Sequence, residues 1–259
     1  MPLLAWILLF SLIGGAFSVL AAALYLLLSE SVRARILPHL VSFAIGALLG
    51  AAFLGLLPHA LQAPGIEDFH GLTGTVLLGL LGFFLLEKLV LWRHCHASDC
   101  EVHAGERPAT QPAAGTLILV GDGIHNFVDG ILIGAAFLSD IHLGIVTSLA
   151  VASHEIPQEV GDFAVLLHSG YSRARAFTFN LLSSFTTLAG GLLAYYGLKG
   201  ALAVVPYVLA VAAASFIYVA VADLIPGLHR RTEALAAVEQ LALIAAGVLV
   251  IYVTHAWLH

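Results

Sequence analysis

Charge is scarce in this chain. Its 259 residues include ten Lys and Arg and 16 Asp and Glu, about 10% charged in all. Ordinary soluble domains carry about 25%, so too little charge is present to cover a water-facing surface. Cysteine is nearly absent: two residues, Cys95 and Cys100, sit in one polar segment, which excludes a disulfide scaffold. With ten basic residues and a formal net charge of -6, no nucleic-acid partner is expected. Strict two-residue alternation of apolar and polar positions is also missing, which excludes a membrane barrel. The opening MPLLAWILLF has no basic flank and its apolar run is too long for a signal peptide, so it reads as a membrane span. What is abundant is apolar residues, 60% of the total, giving a mean hydropathy of +0.99. Disorder is excluded by the same numbers. They predict an all-α polytopic membrane protein.

Eight apolar stretches are long enough to cross about 30 Å of hydrocarbon: 3–28, 36–61, 71–92, 114–137, 142–168, 174–198, 202–226 and 235–258. Helices satisfy their own backbone hydrogen bonds and are the natural way to span. The whole chain, 1–259, reads as a single transmembrane domain. Arg33, Arg35, Lys88, Arg93, Arg107, Arg173, Arg175, Arg230 and Arg231 all fall on one side of these spans, and only Lys199 on the other. The positive-inside rule makes the basic side cytoplasmic and places both termini outside. The longest polar break, 94–113, carries His94, Cys95, His96, Cys100 and His103. It reads as either a metal-capturing loop or a solvated linker with reduced thiols, and its spacing matches no closed zinc template.

Function is to be sought where membrane insertion costs most. An ionised side chain at the bilayer centre costs about 3 kcal/mol on the insertion scale, and only spans 4 and 5 bear that cost repeatedly. Span 4 contains GDGIHNFVDG, with Asp122, His125, Asn126 and Asp129 within an arc of about 100° on one helix face. His125 and Asp129 are four residues apart, so their heads can reach one ion. Span 5 contains SHEIPQEVGDF, in which His154, Glu155, Gln158, Glu159 and Asp162 occupy a wider arc. Pro157 removes a backbone donor and predicts a kink that frees the Ser153 carbonyl beside His154. The short LSDIH turn makes the two spans an antiparallel hairpin, with Asp129 and His154 at similar depth near the middle.

No Lys or Arg lies nearby to neutralise these acids. Divalent cations are the most direct compensation, and protons the alternative. Imidazole with carboxylate suits Zn²⁺, and also Fe²⁺, Mn²⁺, Co²⁺ and Cd²⁺. Calcium or magnesium chemistry would not call for histidine, and no thiolate or thioether is at hand for copper. Outside the cluster, His59 at the outer end of span 2 could guide entry, and Asp223 could cap span 7 or serve as an exit ligand. Asn180, Ser183 and Ser184 on span 6 suggest interhelical hydrogen bonding. His255 has no evident role.

At HNFVDG and HEIPQEVGDF the chain resembles the ZIP (Zrt/Irt-like) family of divalent metal transporters, within it the subfamily with a His-Glu-x-Pro-His-Glu-x-Gly-Asp fifth span. LLPHA at 56–60, FFLLEK at 83–88 and IYVAVADLIP at 217–226 resemble that family's second, third and seventh spans. The resemblance implies a binuclear metal centre held by His125, Asn126, Asp129, His154, Glu155 and the residue at 158. It also implies inverted repeats of helices 1–3 and 6–8 around helices 4–5, a homodimer, alternating access, and a bacterial-type member in an inner membrane. Zinc would be the substrate and no organic cofactor is expected. Position 158 is Gln where the signature has His, which predicts a weaker site or one favouring harder ions. The second span carries Ala51 and Gly55 where relatives often carry Asp and His.

Three functions compete. The first is metal uptake into the cytoplasm through a midplane centre between helices 4 and 5. A proton-coupled exporter or channel using the same acids is the second. The third is an intramembrane metalloprotease, since His154-Glu155 nearly begins H-E-x-x-H, but Gln158 takes the place of the second ligand. An enzyme is not expected.

Overall fold

The computed structural model describes residues 1–67, 69–96, 112–229 and 233–258. Their regular structure is all helical, and no strand occurs among the described residues. The first span is α1 (Leu3–Gly14) and α2 (Ala16–Leu26). The second is α3 (Glu30–Gly50), a π-helical stretch (Ala51–Leu56) and α4 (Leu57–Gln62). Three long helices follow: α5 (Phe69–His96), α6 (Pro112–Ser139) and α7 (Ile141–His168). The sixth span is α8 (Arg173–Ser184) and α9 (Thr186–Leu198). The seventh runs through a 3-10 turn (Leu202–Val204), α10 (Val205–Tyr218), a second π stretch (Val219–Leu224) and α11 (Ile225–Leu228), and α12 (Ala234–Leu258) comes last.

Of the eight expected spans, seven are long and apolar enough to cross a membrane by length and composition. The other is α7, which is 28 residues long but carries Glu155, Glu159 and Asp162 along its length. The second span starts at Glu30 rather than 36, with Pro38 inside its helix. The α5 helix runs through His96, so His94, Cys95 and His96 end a helix instead of opening a loop. Pro112 starts α6, at the position where a missing N–H costs nothing. Cys100, His103, Arg107, Arg230 and Arg231 lie outside the described residues.

Proline has two outcomes here. Pro157 sits inside α7 and the helix continues through it. Pro58 and Pro226 each follow a six-residue π stretch. A proline cannot donate to the carbonyl four residues back and its ring crowds that carbonyl, and the wider turn just before it relieves the crowding.

The bundle is drawn together where helices lack side chains. A Cβ on Gly130 would strike the backbone of Thr187, and one on Gly190 the backbone of Phe127, so α6 and α9 touch main chain to main chain. Gly46 and Gly247 do the same against Ile244 and Phe43, joining α3 to α12. Lipid tails give apolar helices no reason to associate, so close van der Waals approach of small residues has to supply it. A single residue, Asp140, separates α6 from α7, and its Oδ1 accepts from the backbone N–H groups of His142 (2.8 Å) and Leu143 (3.0 Å). Partial burial pushes the Asp140 carboxyl up, but these two N–H groups, together with the nearby His142 and His59 rings, outweigh it and hold its pKa below the usual aspartate value.

Candidate metal centre

The hairpin of α6 and α7 brings the costly side chains together. His125 Nε2 lies 3.1 Å from His154 Nε2, 3.3 Å from Glu155 Oε1 and 3.8 Å from Asp129 Oδ2. His154 Nε2 lies 3.2 Å from Asp129 Oδ2 and 3.6 Å from Glu155 Oε1. These are five of the six edges of a tetrahedron. With metal–ligand bonds of about 2.0–2.1 Å, a tetrahedral zinc site has edges of about 3.3 Å. The four residues therefore already stand close to the positions that one ion would impose.

Orientation comes from the second nitrogen of His154. Its Nδ1 lies 3.2 Å from the Ala150 carbonyl, which can only accept. Nδ1 therefore carries the proton and Nε2 turns its lone pair to the cluster, the usual arrangement of a metal-binding histidine. Asp129 Oδ2 and both Glu155 oxygens are buried and have no hydrogen-bond partner. Buried carboxylate oxygens without donors are costly, and a cation would satisfy them. Among the described residues, the only ion pairs of Asp129 and Glu155 are with these two histidines.

A second group adjoins the first. Asp122, Glu155 and Glu159 each place one oxygen within 4.8 Å of the others, and Glu155 belongs to both groups. Both Glu159 oxygens are buried without a hydrogen bond, and Asn180 on α8 approaches them without closing one. Asp122 accepts from Asn126 Nδ2 at 2.8 Å and from the Ser183 hydroxyl. The Asn126 amide oxygen accepts from Thr187 Oγ1 at 2.8 Å. Asn126 thus ties α6 to α9 and orients Asp122.

Gln158, Asp162, Asp122, His125 and Asp223 line one cavity of about 560 Å³, which also takes in Leu37 and Val41 of α3. Leu37 lies one turn along α3 from Arg33, so the cavity extends from the centre toward the end of the bundle where Arg33 and Arg35 lie. On the opposite side, toward the α6–α7 turn, the helices carry Leu132, Ile133, Phe137, Leu143 and Val146, all buried. The Ile124 and Val120 side of α6 is exposed, opposite the polar face.

Some partners gave little sign in the sequence. Thr187 and Thr186 hydrogen-bond to Asn126 and to the Gly123 carbonyl, but single threonines in an apolar run carry no signal. Ser183 does reach across to Asp122, as its spacing suggested, whereas Ser184 bonds its own helix at Leu181. His255 pairs edge-on with His59, ring centres 5.3 Å apart, at the end far from the cavity. Tyr218 donates to Glu87, tying the seventh span to α5.

The fold is an apolar helical bundle of membrane-spanning length with acids and imidazoles gathered at its centre, where they could hold a metal ion. Comparison with known proteins narrows this. A family profile described as ZIP Zinc transporter matches residues 92–255. Zinc transporter ZIP13 of Pongo abelii is 32% identical over 252 residues, covering 92% of this chain and 73% of that protein. Zinc transporter zipt-7.2 of Caenorhabditis elegans is 31% identical, covering 93% and 64%. A shorter match to zinc transporter ZIP4 of Mus musculus is 47% identical over 115 residues, covering 43% and 17%. The chain belongs to the ZIP zinc transporter family. Members of that family are transporters and not enzymes, which removes the metalloprotease alternative.

Proposed function

We propose that this protein carries zinc into the cytoplasm through a binuclear centre near the bilayer midplane. His125, Asp129, His154 and Glu155 form one site and Asp122, Glu155 and Glu159 the second, with Glu155 shared. The observation that supports it most is the near-tetrahedral set of ligand distances, 3.1–3.8 Å, around orphaned carboxylate oxygens. Gln158, Asp162 and Asp223 line the way out toward the basic end, and protons competing for the same oxygens and nitrogens would assist release. Fe²⁺, Mn²⁺, Co²⁺ and Cd²⁺ share this ligand preference and are candidate competitors.

Eight spans, with α7 as the fifth, place both termini outside by the positive-inside rule. An inverted repeat is supported by the twin π stretches: AAFLGL-LP at 51–58 and VAVADL-IP at 219–226 stand 168 residues apart, each in the second span of its triplet. The cavity opens to the basic end while buried apolar side chains fill the other, as one state of an alternating-access cycle would require. The homodimer implied by the resemblance would use the exposed faces of α5 or α12, the least buried spans. The family and the apolar helices support an integral membrane protein, and the relatives compared are animal proteins.

Reconstituted vesicles loaded with a zinc-sensing dye test this reading. Saturable inward flux is expected from the wild type, and none from His154→Ala inserted to the same level. Flux that runs only outward, driven by an imposed pH gradient, would reverse the direction and favour the exporter. Equal flux in the variant would remove the centre.

A further inference from the structure

A second cavity, separate from the metal route, lies between the first, second, fifth and sixth spans. Its volume is about 270 Å³, and its walls include Leu26, Leu27, Phe163 and Phe177 together with Arg33 and Arg173. Arg33 is half-buried, and its Nε is buried without a hydrogen-bond partner. Neither arginine makes an ion pair among the described residues. Glu30, the acid nearest Arg33 in sequence, does not line the cavity. Two guanidinium groups, one with a desolvated donor, and no carboxylate make a site that lacks its anion.

Leu27, one wall of the cavity, also ends an exposed apolar row along the first span. Phe17 (56% exposed), Leu20 (43%), Leu24 (66%) and Leu27 (78%) follow one another at helical spacing down that face. Ten residues of helix span about 15 Å, half the thickness of the hydrocarbon core. A headgroup held by the arginines would therefore have a single-leaflet apolar track running from it. Arg33 and Arg173 both stand at the basic end of the bundle, where the leaflet facing the cytoplasm is rich in anionic lipid.

We propose that this cavity binds an anionic phospholipid, its phosphate between Arg33 and Arg173 and one acyl chain along the Phe17–Leu27 ridge. The proposal is independent of the metal centre and of the direction of transport.

The test uses the full chain in detergent, with phosphatidylglycerol, phosphatidylcholine of the same acyl chains, or inorganic phosphate added separately. Lipid retention is read by native mass spectrometry and thermal stability in parallel. Phosphatidylglycerol is expected to be retained in preference to phosphatidylcholine and to raise the melting temperature, with inorganic phosphate doing neither. Affinity should fall about fivefold for each of Arg33→Gln and Arg173→Gln, while Arg35→Gln and Arg175→Gln, exposed neighbours outside the cavity, leave it unchanged. Arg173 is exposed, so its variant is expected to fold even if that of Arg33 does not. Equal retention of both lipids, the same stabilisation by phosphate alone, or equal losses in the Arg35 and Arg175 variants would each overturn the site.

Discussion

Ligand geometry decides what the centre can do. Two like charges about 4 Å apart cost about 4 kcal/mol at an effective dielectric of 20, and Asp122, Glu155 and Glu159 lie within 4.8 Å of one another. Among the described residues no Lys or Arg pairs with them, so cations or protons must offset the charge. In the proposed centre, removing either imidazole leaves three ligands at the first site: His125→Ala and His154→Ala are each expected to lower zinc affinity at least about a hundredfold, as read by chelator competition. Gln158→His adds an imidazole to the cavity wall, and it should tighten zinc binding while slowing turnover in vesicle uptake. Thr187→Val removes the donor to Asn126 and should cost about 1–3 kcal/mol of stability with less change in zinc affinity than either histidine variant. That His125, Asp129, His154 and Glu155 come together was legible from helical spacing combined with the short turn that makes the two helices a hairpin. The partnership of Asn126 was not, since it depends on Thr187, 61 residues away.

At the level of elements, composition and run length located the spans, and the turns between them followed. The breaks did not. Gly15 ends α1 where the Ser184 carbonyl and the Thr187 hydroxyl of the sixth span come too close for a Cβ, a tertiary crowding that no local pattern reports. The π stretches likewise answer to Pro58 and Pro226, whereas Pro157 leaves its helix continuous, so proline alone does not forecast the outcome. Where Gly130 meets the Thr187 backbone, Gly130→Leu should separate α6 from α9, and a melting-temperature drop of several degrees or failure to insert is the expected result. At the other end of α6, Asp140→Ala removes an N-cap worth about 1 kcal/mol. Because the folded-state pKa of Asp140 is lowered, its contribution is complete above about pH 4, the ordinary aspartate value. It fades as pH falls through the lower folded value. The stability gap between wild type and Asp140→Ala, measured across pH, should close in that direction and stay constant above it.

The whole molecule is asymmetric across its centre. A cavity walled by Leu37, Ile118, Val165 and Asp223 reaches Asp122 and His125, and buried leucine, isoleucine and phenylalanine fill the opposite half. Val41→Cys, on the cavity wall, should react with a membrane-impermeant thiol reagent from the basic side, and Val146→Cys should resist it from either side until zinc drives the cycle. The basic asymmetry was visible in the sequence, but which half is open depends on packing that only the assembled bundle defines. The direct test of the centre is zinc-edge X-ray absorption on the purified, zinc-loaded protein. Nitrogen and oxygen neighbours at about 2.0–2.2 Å, with imidazole outer shells that disappear in the His125→Ala/His154→Ala double variant, are expected. Tightly bound zinc whose spectrum is the same in that variant would contradict the assignment.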